Sequence, residues 1–217
     1  MFFKTTQPAL RVRPAQPADQ LALSNLFYFE PYNFRHLDWK RPLDWLGQQP
    51  FLVAEQKGRL RAALICPPEP PEVAWIRAFA ASGEVRLEEV WQALWQDASR
   101  ALQRANVRHV AALCTEGWMQ KLLADSRFSP QETVVVLTWN PDAPLPPPRF
   151  RARPRVMASR DLPQVYAVDR ACFAPLWQNS AASLEVAFNQ ARFATVLEDE
   201  TGLVGYQIST PSPRGGH

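Results

Sequence analysis

One stretch, FYFEPYNFRHLDWKRPLDW, holds seven aromatic residues (Phe27, Tyr28, Phe29, Tyr32, Phe34, Trp39 and Trp45) and three carboxylates (Glu30, Asp38 and Asp44). An acid set among aromatic faces can hold a cationic amine. Tyr28, Glu30, Tyr32 and Trp39 are therefore candidate substrate-binding residues. The same residues also fit a structural role, with aromatics packed over a sheet and Asp38 and Asp44 at turns or helix caps. Elsewhere the reactive side chains stand apart. Cys66, Cys114 and Cys172 show no CxxC spacing, and an odd count argues against a disulfide framework. His36, His109 and His217 share no metal-ligand spacing, so no metal is expected. No residue is assigned a catalytic role.

Stepping outward, hydrophobic residues make up 47% of the 217 and charged residues 21%, which predicts packed cores. A net charge of +3 does not call for nucleic acid, and no apolar run reaches the length of a membrane span. The segment MFFKTT is too short for a secretory signal, and the three unpaired cysteines fit a reduced, cytoplasmic setting. Of the 21 prolines, six lie between Pro141 and Pro154. Such a run favours extended backbone and reads as a linker. The arginines at 149, 151, 153 and 155 continue it as a solvated strip. Residues 1–140 thus form one part, 141–154 the linker and 155–217 a second part.

Both parts open on one plan. LRVRPAQPADQLALSNLFYF predicts a short strand, then a helix capped by Asp19 with Leu21, Ala22, Leu26 and Phe29 on its apolar face. RARPRVMASRDLPQVYAVDRACF repeats this with Asp161 as cap and Val165, Val168 and Cys172 as the face, 142 residues later. FLVAEQKGRLRAALI and FATVLEDETGLVGYQIS both read as hairpins, turning at Gly58 and near Gly202. Phe51 and Phe193 are again 142 apart. A short helix candidate precedes each hairpin, PLDWLG and SLEVAFNQA. Only the first part continues, with a fourth strand (VAWIRAFA), a long amphipathic helix from Leu87, a buried strand (VRHVAALC), a helix (GWMQKLLADSRF) and a last strand (ETVVVLTW).

This order resembles the GNAT superfamily of acetyl-CoA-dependent N-acetyltransferases. The resemblance rests on RPAQPAD leading into a helix, the hairpin FLVAEQKGRLRAAL, and LLADSRF in place of the family's LYEKLGF. It implies an α/β fold, a mixed and mainly antiparallel sheet with flanking helices, as one full domain and the N-terminal half of a second. It further implies acetyl transfer from acetyl-CoA to a small or protein-borne primary amine. In the family, a general base near the fourth strand takes the amine proton. Amides of that splayed strand bind the pantetheine arm, and a Q/R-x-x-G-x-G/A turn opening a helix cradles the pyrophosphate. Here that turn reads AASGEV, no carboxylate lies between Val73 and Ala80, and Leu123 stands where the family commonly has a tyrosine that protonates the departing thiolate. Acetyl-CoA binding is therefore expected to be weak or absent, and if present to lie at Phe79, Ala80, Ser82 and Gly83. The alternative function is a non-catalytic module that binds a partner or supports the second part. That second part, short of its fourth strand, is expected to need interdomain contact or a homo-oligomer.

Overall fold

The computed structural model describes residues 9–135, 142, 144, 153–212, 215 and 216. The chain forms two compact units. Unit 1 runs through Leu122 and takes in, from much further along, Phe173–Ser180; unit 2 comprises Leu123–Cys172 and Ala181–His217. Both are mixed α/β, with antiparallel sheets flanked by helices.

In unit 1, β1 (Arg11–Pro14) leads through a 3-10 turn at Pro17–Asp19 into α1 (Gln20–Phe29). Then come β2 (Tyr32–Arg35), a 3-10 turn at Pro42–Trp45, β3 (Phe51–Gln56) and β4 (Arg59–Ile65). The β3–β4 turn places Lys57 and Gly58 at φ of 53° and 70°. Glycine reaches that left-handed region without the Cβ clash that other residues meet. β5 (Val73–Trp75), β6 (Ala78–Ala81), α2 (Leu87–Arg104), β7 (His109–Ala111) and α3 (Gly117–Asp125) complete the order. The main sheet has the strand order β1-β3-β4-β6-β2, all antiparallel, and β5 pairs in parallel with β7.

Unit 2 repeats the opening. It has β8 (Arg153–Val156), a 3-10 turn at Ser159–Asp161, α4 (Leu162–Cys172), α5 (Ala181–Gln190), β9 (Phe193–Asp199) and β10 (Gly202–Ser209). Its sheet order is β10-β9-β8. Met157, Val165, Leu184, Ala194 and Val196 form its buried core.

An ion-pair triad marks the repeat. Arg13 pairs with Asp19 at 2.7 Å and with Glu55, while the Gln16 N–H donates to Asp19 at 2.8 Å. Arg155 pairs with Asp161 at 2.6 Å and with Glu198, while the Ala158 N–H donates to Asp161 at 2.8 Å. Each triad ties first strand, turn and hairpin together, and charge-assisted bonds of this kind are the strong ones. The aspartates thus close the turns that lead into α1 and α4.

Several expectations are corrected. Leu23, Leu26 and Phe27 are the buried face of α1, whereas Leu21, Ala22 and Phe29 face solvent. In α4 the buried positions are Val165 and Asp169; Cys172 is exposed. Short helices hold few turns, so a sequence stripe leaves their rotation poorly fixed. The expected fourth strand is two strands broken at Ile76 and Arg77, because the Ile76 N–H donates to Ala111 while the Arg77 N–H donates to Ile65. VRHVAALC is paired over three residues only, and His109 is exposed. Glu132–Val135, the start of the expected last strand, is not a strand, and the rest of that strand lies outside the described residues. The repeat also changes phase. Ala15 N–H donates to Phe51 O where Met157 N–H donates to Ala194 O, so Ala194, not Phe193, matches Phe51. A one-residue slip flips a strand's faces, and Phe193 is accordingly exposed where Phe51 is buried. The proline-rich linker, apart from Asp142, Pro144, Arg153 and Pro154, lies outside the described residues.

Candidate functional site

The residues expected to meet a cofactor lie on β6 and in the loop from it to α2. On one side β6 pairs with β4, setting Phe79 opposite Leu64 and Ala80 opposite Ala63. On the other it pairs with β2, setting Phe79 opposite Phe34 and Ala80 opposite Asn33. Phe79 and Ala80 are fully buried. A strand between two others has no free edge to offer an extended ligand. β2 is fastened at its base as well, since the Asn33 amide and the Arg35 guanidinium both donate to the Phe27 carbonyl at the end of α1.

The loop is similarly engaged. Ser82 N–H donates to Arg61 O at 2.7 Å, Gly83 N–H to Glu30 Oε2 at 3.2 Å, Glu84 N–H to Ser82 Oγ at 3.3 Å and Val85 N–H to Ser82 O at 3.4 Å. Glu30 thus places a carboxylate on the amide of Gly83. Glu84 pairs with Arg61 at 2.7 Å and Arg86 with Glu89 at 2.8 Å. The cleft here, of about 300 Å³, is lined in part by Gln56, Gly83, Glu84, Arg86 and Glu89. Behind β6 an aromatic layer fills the space toward α2 and α3. Phe79 meets Trp91 at 5.1 Å and Trp118 at 6.1 Å between ring centroids, and Tyr32 meets Trp118 at 5.5 Å. Leu123 is buried.

The acceptor-side residues separate. Tyr28 is 77% exposed, its ring edge-on to Phe29. Glu30 serves Gly83, Tyr32 lies in β2, and Trp39 is half-buried. Phe27, Phe34 and Trp45 pack in the core, and Asp44 accepts from Arg41 N–H at the 3-10 turn, the structural role the sequence also allowed.

A second polar corner went unread in the sequence. Arg77 pairs with Asp38 at 3.1 Å and Lys40 with Glu69 at 2.8 Å, all four side chains being at most 12% exposed. Both cations lie over the Trp45 ring, Lys40 Nζ at 4.1 Å and the Arg77 guanidinium at 4.8 Å from its centroid. His36 stacks on Trp75 at 4.8 Å, and its buried Nδ1 has no hydrogen-bond partner. Burial, then the nearby Arg77 charge, pushes the His36 imidazole down to about 3, so it is neutral at pH 7. Burial pushes the Asp38 carboxyl up against the pull of Arg77. Burial pushes Glu69 up too, but hydrogen bonds from Lys40 and Ser180 outweigh it and hold the carboxyl below its usual range. The run CPPEPPE around Glu69 was the available signal, four prolines fixing the backbone about one acid.

Burial raises the Cys66 thiol to about 12 and the Cys114 thiol to about 11, so neither is a thiolate nucleophile near neutrality. Among the described residues no group of three or more His, Cys, Asp or Glu could hold a metal ion. No described helix is long and apolar enough to cross a membrane.

No protein-family model matches the chain. No curated protein matches it either. Solved structures similar to it include an aminoglycoside acetyltransferase from an uncultured soil metagenomic sample, in complex with trehalose. That match has 17% identity and a TM-score of 0.46, covering 60% of this chain and 95% of the other. The aminoglycoside N-acetyltransferase AAC(6')-Iy in complex with CoA is similar at 12% identity and a TM-score of 0.48, over 62% and 97%. A ribosomal-protein-alanine N-acetyltransferase from Brucella melitensis biovar Abortus 2308 is similar at 16% identity and a TM-score of 0.45, over 61% and 100%.

Proposed function

We propose that the chain is a GNAT-like N-acetyltransferase relative in which unit 1 is a non-catalytic module supporting the second unit. Acetyl transfer from acetyl-CoA to a primary amine is then not an activity of unit 1. One observation carries this reading: Tyr32–Arg35 is paired along the edge of β6 that the family resemblance assigns to the pantetheine arm. Binding an extended thioester arm there requires β2 to leave, exposing the backbone groups of four residue pairs together with buried Phe34. The carboxylate of Glu30 on Gly83, with Glu84 and Glu89 close by, opposes a pyrophosphate as well. Unit 2, with its own triad and the same opening elements, is on this reading a second GNAT-like copy of the plan. Its outer strand β10 is where a second copy would pair, through Leu203–Ser209.

Isothermal titration of the full chain with acetyl-CoA tests the main claim. The expected result is no saturable heat at micromolar concentrations. A dissociation constant of ~1 μM, worth about 8 kcal/mol, would overturn it, as would release of CoA thiol on adding a primary amine. Were a cofactor to bind, its contacts would be sought at Phe79, Ala80, Ser82 and Gly83.

A further inference from the structure

α1 carries two apolar faces. Leu23, Leu26 and Phe27 are buried in the core with Phe51, Ala63 and Ile65. On the opposite side Leu21, Tyr28 and Phe29 are 75%, 77% and 75% exposed. Ala22 and Asn25 are exposed beside them. At 3.6 residues per turn these positions share an arc about 120° wide, with Asn25 at its middle. None of the residues of this helix, QLALSNLFYF, carries a charge. Apolar side chains all round are the pattern of a covered helix. Contiguous exposed apolar patches mark interaction surfaces.

The repeat supplies a control. The same positions in α4, 142 residues on, are Pro163, Gln164, Ala167, Arg170 and Ala171. They are exposed as well. The plan of the fold therefore does not require large apolar side chains there. Unit 2 keeps that face polar or small, whereas unit 1 sets a leucine and two aromatic rings on it.

The layout of the arc suits a second copy of itself. About a two-fold axis level with Asn25, antiparallel copies of α1 set Leu21 level with the partner subunit's Phe29. Ala22 falls level with the partner subunit's Tyr28, so the smallest side chain of the arc lies beside a bulky ring. Asn25 meets its own copy, and a side-chain amide, donor and acceptor at once, can pair with another. The uncharged helices bring no like charges together, and antiparallel packing opposes their dipoles. Lys and Arg, which draw an interfacial helix to anionic lipid, are absent from α1. Two mostly exposed rings and a leucine amount to roughly 400–500 Å² per copy. A pair would then bury about 1,000 Å², the lower bound for a specific interface, which makes the association weak and reversible.

We propose that α1 is a dimerisation helix, whose Leu21–Asn25–Phe29 face pairs antiparallel with the same face of a second copy, the two Asn25 side chains lying at the axis. This surface is separate from the edge of β10, and the pairing does not depend on whether acetyl-CoA binds.

The test is sedimentation velocity of the full chain over a range of concentrations. Wild-type protein is expected to pass from monomer to dimer with a dissociation constant of about 10–100 μM. Asn25→Asp and, separately, Asn25→Lys set like charges at the axis, and each alone is expected to weaken association about tenfold or more. An equimolar mixture of the two is expected to recover the dimer, because opposite charges then meet. Val204→Lys, at an exposed position of β10, should leave association unchanged. Asn25 is exposed, so both of its variants should keep the wild-type circular-dichroism melt at about 1 μM, where monomer prevails. A wild type that stays monomeric up to about 500 μM overturns the proposal. So does a mixture that associates no better than either variant alone. A dimer lost in Val204→Lys but kept in both Asn25 variants would assign the pairing to β10 and overturns it too. Lowered melts in both Asn25 variants would show the arc covered within one chain, with the same consequence. Wild-type monomer that sediments with vesicles of phosphatidylcholine and phosphatidylserine would make the arc a membrane face and likewise overturn the dimer.

Discussion

Asp161 and His36 are both held away from their ordinary ionisation, and both make stability fall in acid, over different ranges. Asp161 is lowered from 3.8 to about 2, first by its hydrogen bonds from Arg155, then by the Ala158 N–H. A carboxylate with a depressed folded value adds stability that is present above about 4 and lost as pH falls through about 2. Asp161→Asn should therefore melt lower than wild type at pH 6, with the gap closing between about pH 4 and pH 2; thermal melts over that range check this. His36 is lowered from 6.5 to about 3. Its unfolded form takes up a proton that the folded form refuses, so its contribution is complete above 6.5 and erodes down to 3. The limiting slope is about 1.4 kcal/mol per pH unit. His36→Phe keeps a ring against Trp75 and should remove this slope. Urea titrations at pH 4, 5, 6 and 7 measure it. An unchanged slope in the variant would mean that another group sets the pH response.

The elements divide by whether their signal is local. The β3–β4 hairpin was legible because apolar runs flank Lys57-Gly58, and α2 because 18 residues give several turns to its buried Val90, Trp91, Leu94, Ala98 and Leu102. β2 was not legible. Four residues, YNFR, within an aromatic stretch carry no period, and they become a strand only because β6 supplies a partner edge. The candidate site inherits this limit. Phe79 and Ala80 lie on β6 and Ser82 and Gly83 in the loop after it, but the pairing of Asn33 with Ala80 and the bond from Gly83 to Glu30 depend on contacts some fifty residues apart. The triads were closer to view, since Arg13 and Asp19 share the spacing of Arg155 and Asp161. Truncation should separate the two kinds of aromatic. Phe34→Ala, at 1% exposure, should cost about 3–5 kcal/mol. Tyr28→Ala, at 77% exposure, should fall within about 0.5 kcal/mol of wild type. A large loss at Tyr28 in denaturant unfolding would show that its ring is covered in solution.

At the scale of the whole molecule, the chain forms two compact units. The division falls within α3, between Leu122 and Leu123, and Phe173–Ser180 returns to unit 1. A fragment spanning Arg149–His217 keeps the Met157, Val165, Leu184, Ala194 and Val196 cluster of unit 2 but deprives Phe173–Ser180 of Trp75 and Glu69. So small a core does not offset chain entropy of ~1–2 kcal/mol per residue. The fragment should show no cooperative thermal melt by circular dichroism at low concentration; a sharp monomeric transition would contradict this. The docking of Phe173–Ser180 also puts a clock into biosynthesis. Trp75 waits 101 residues for Leu176, and Glu69 waits 111 for Ser180. At the ~5–20 residues per second of translation, a ribosome needs roughly 5–20 s to supply the closing segment. For that interval the emerging N-terminal portion carries an uncovered tryptophan and a carboxylate short of one donor. Slow codons between positions 75 and 176 would lengthen the exposure, and with it the time in which a chaperone could engage the nascent chain there.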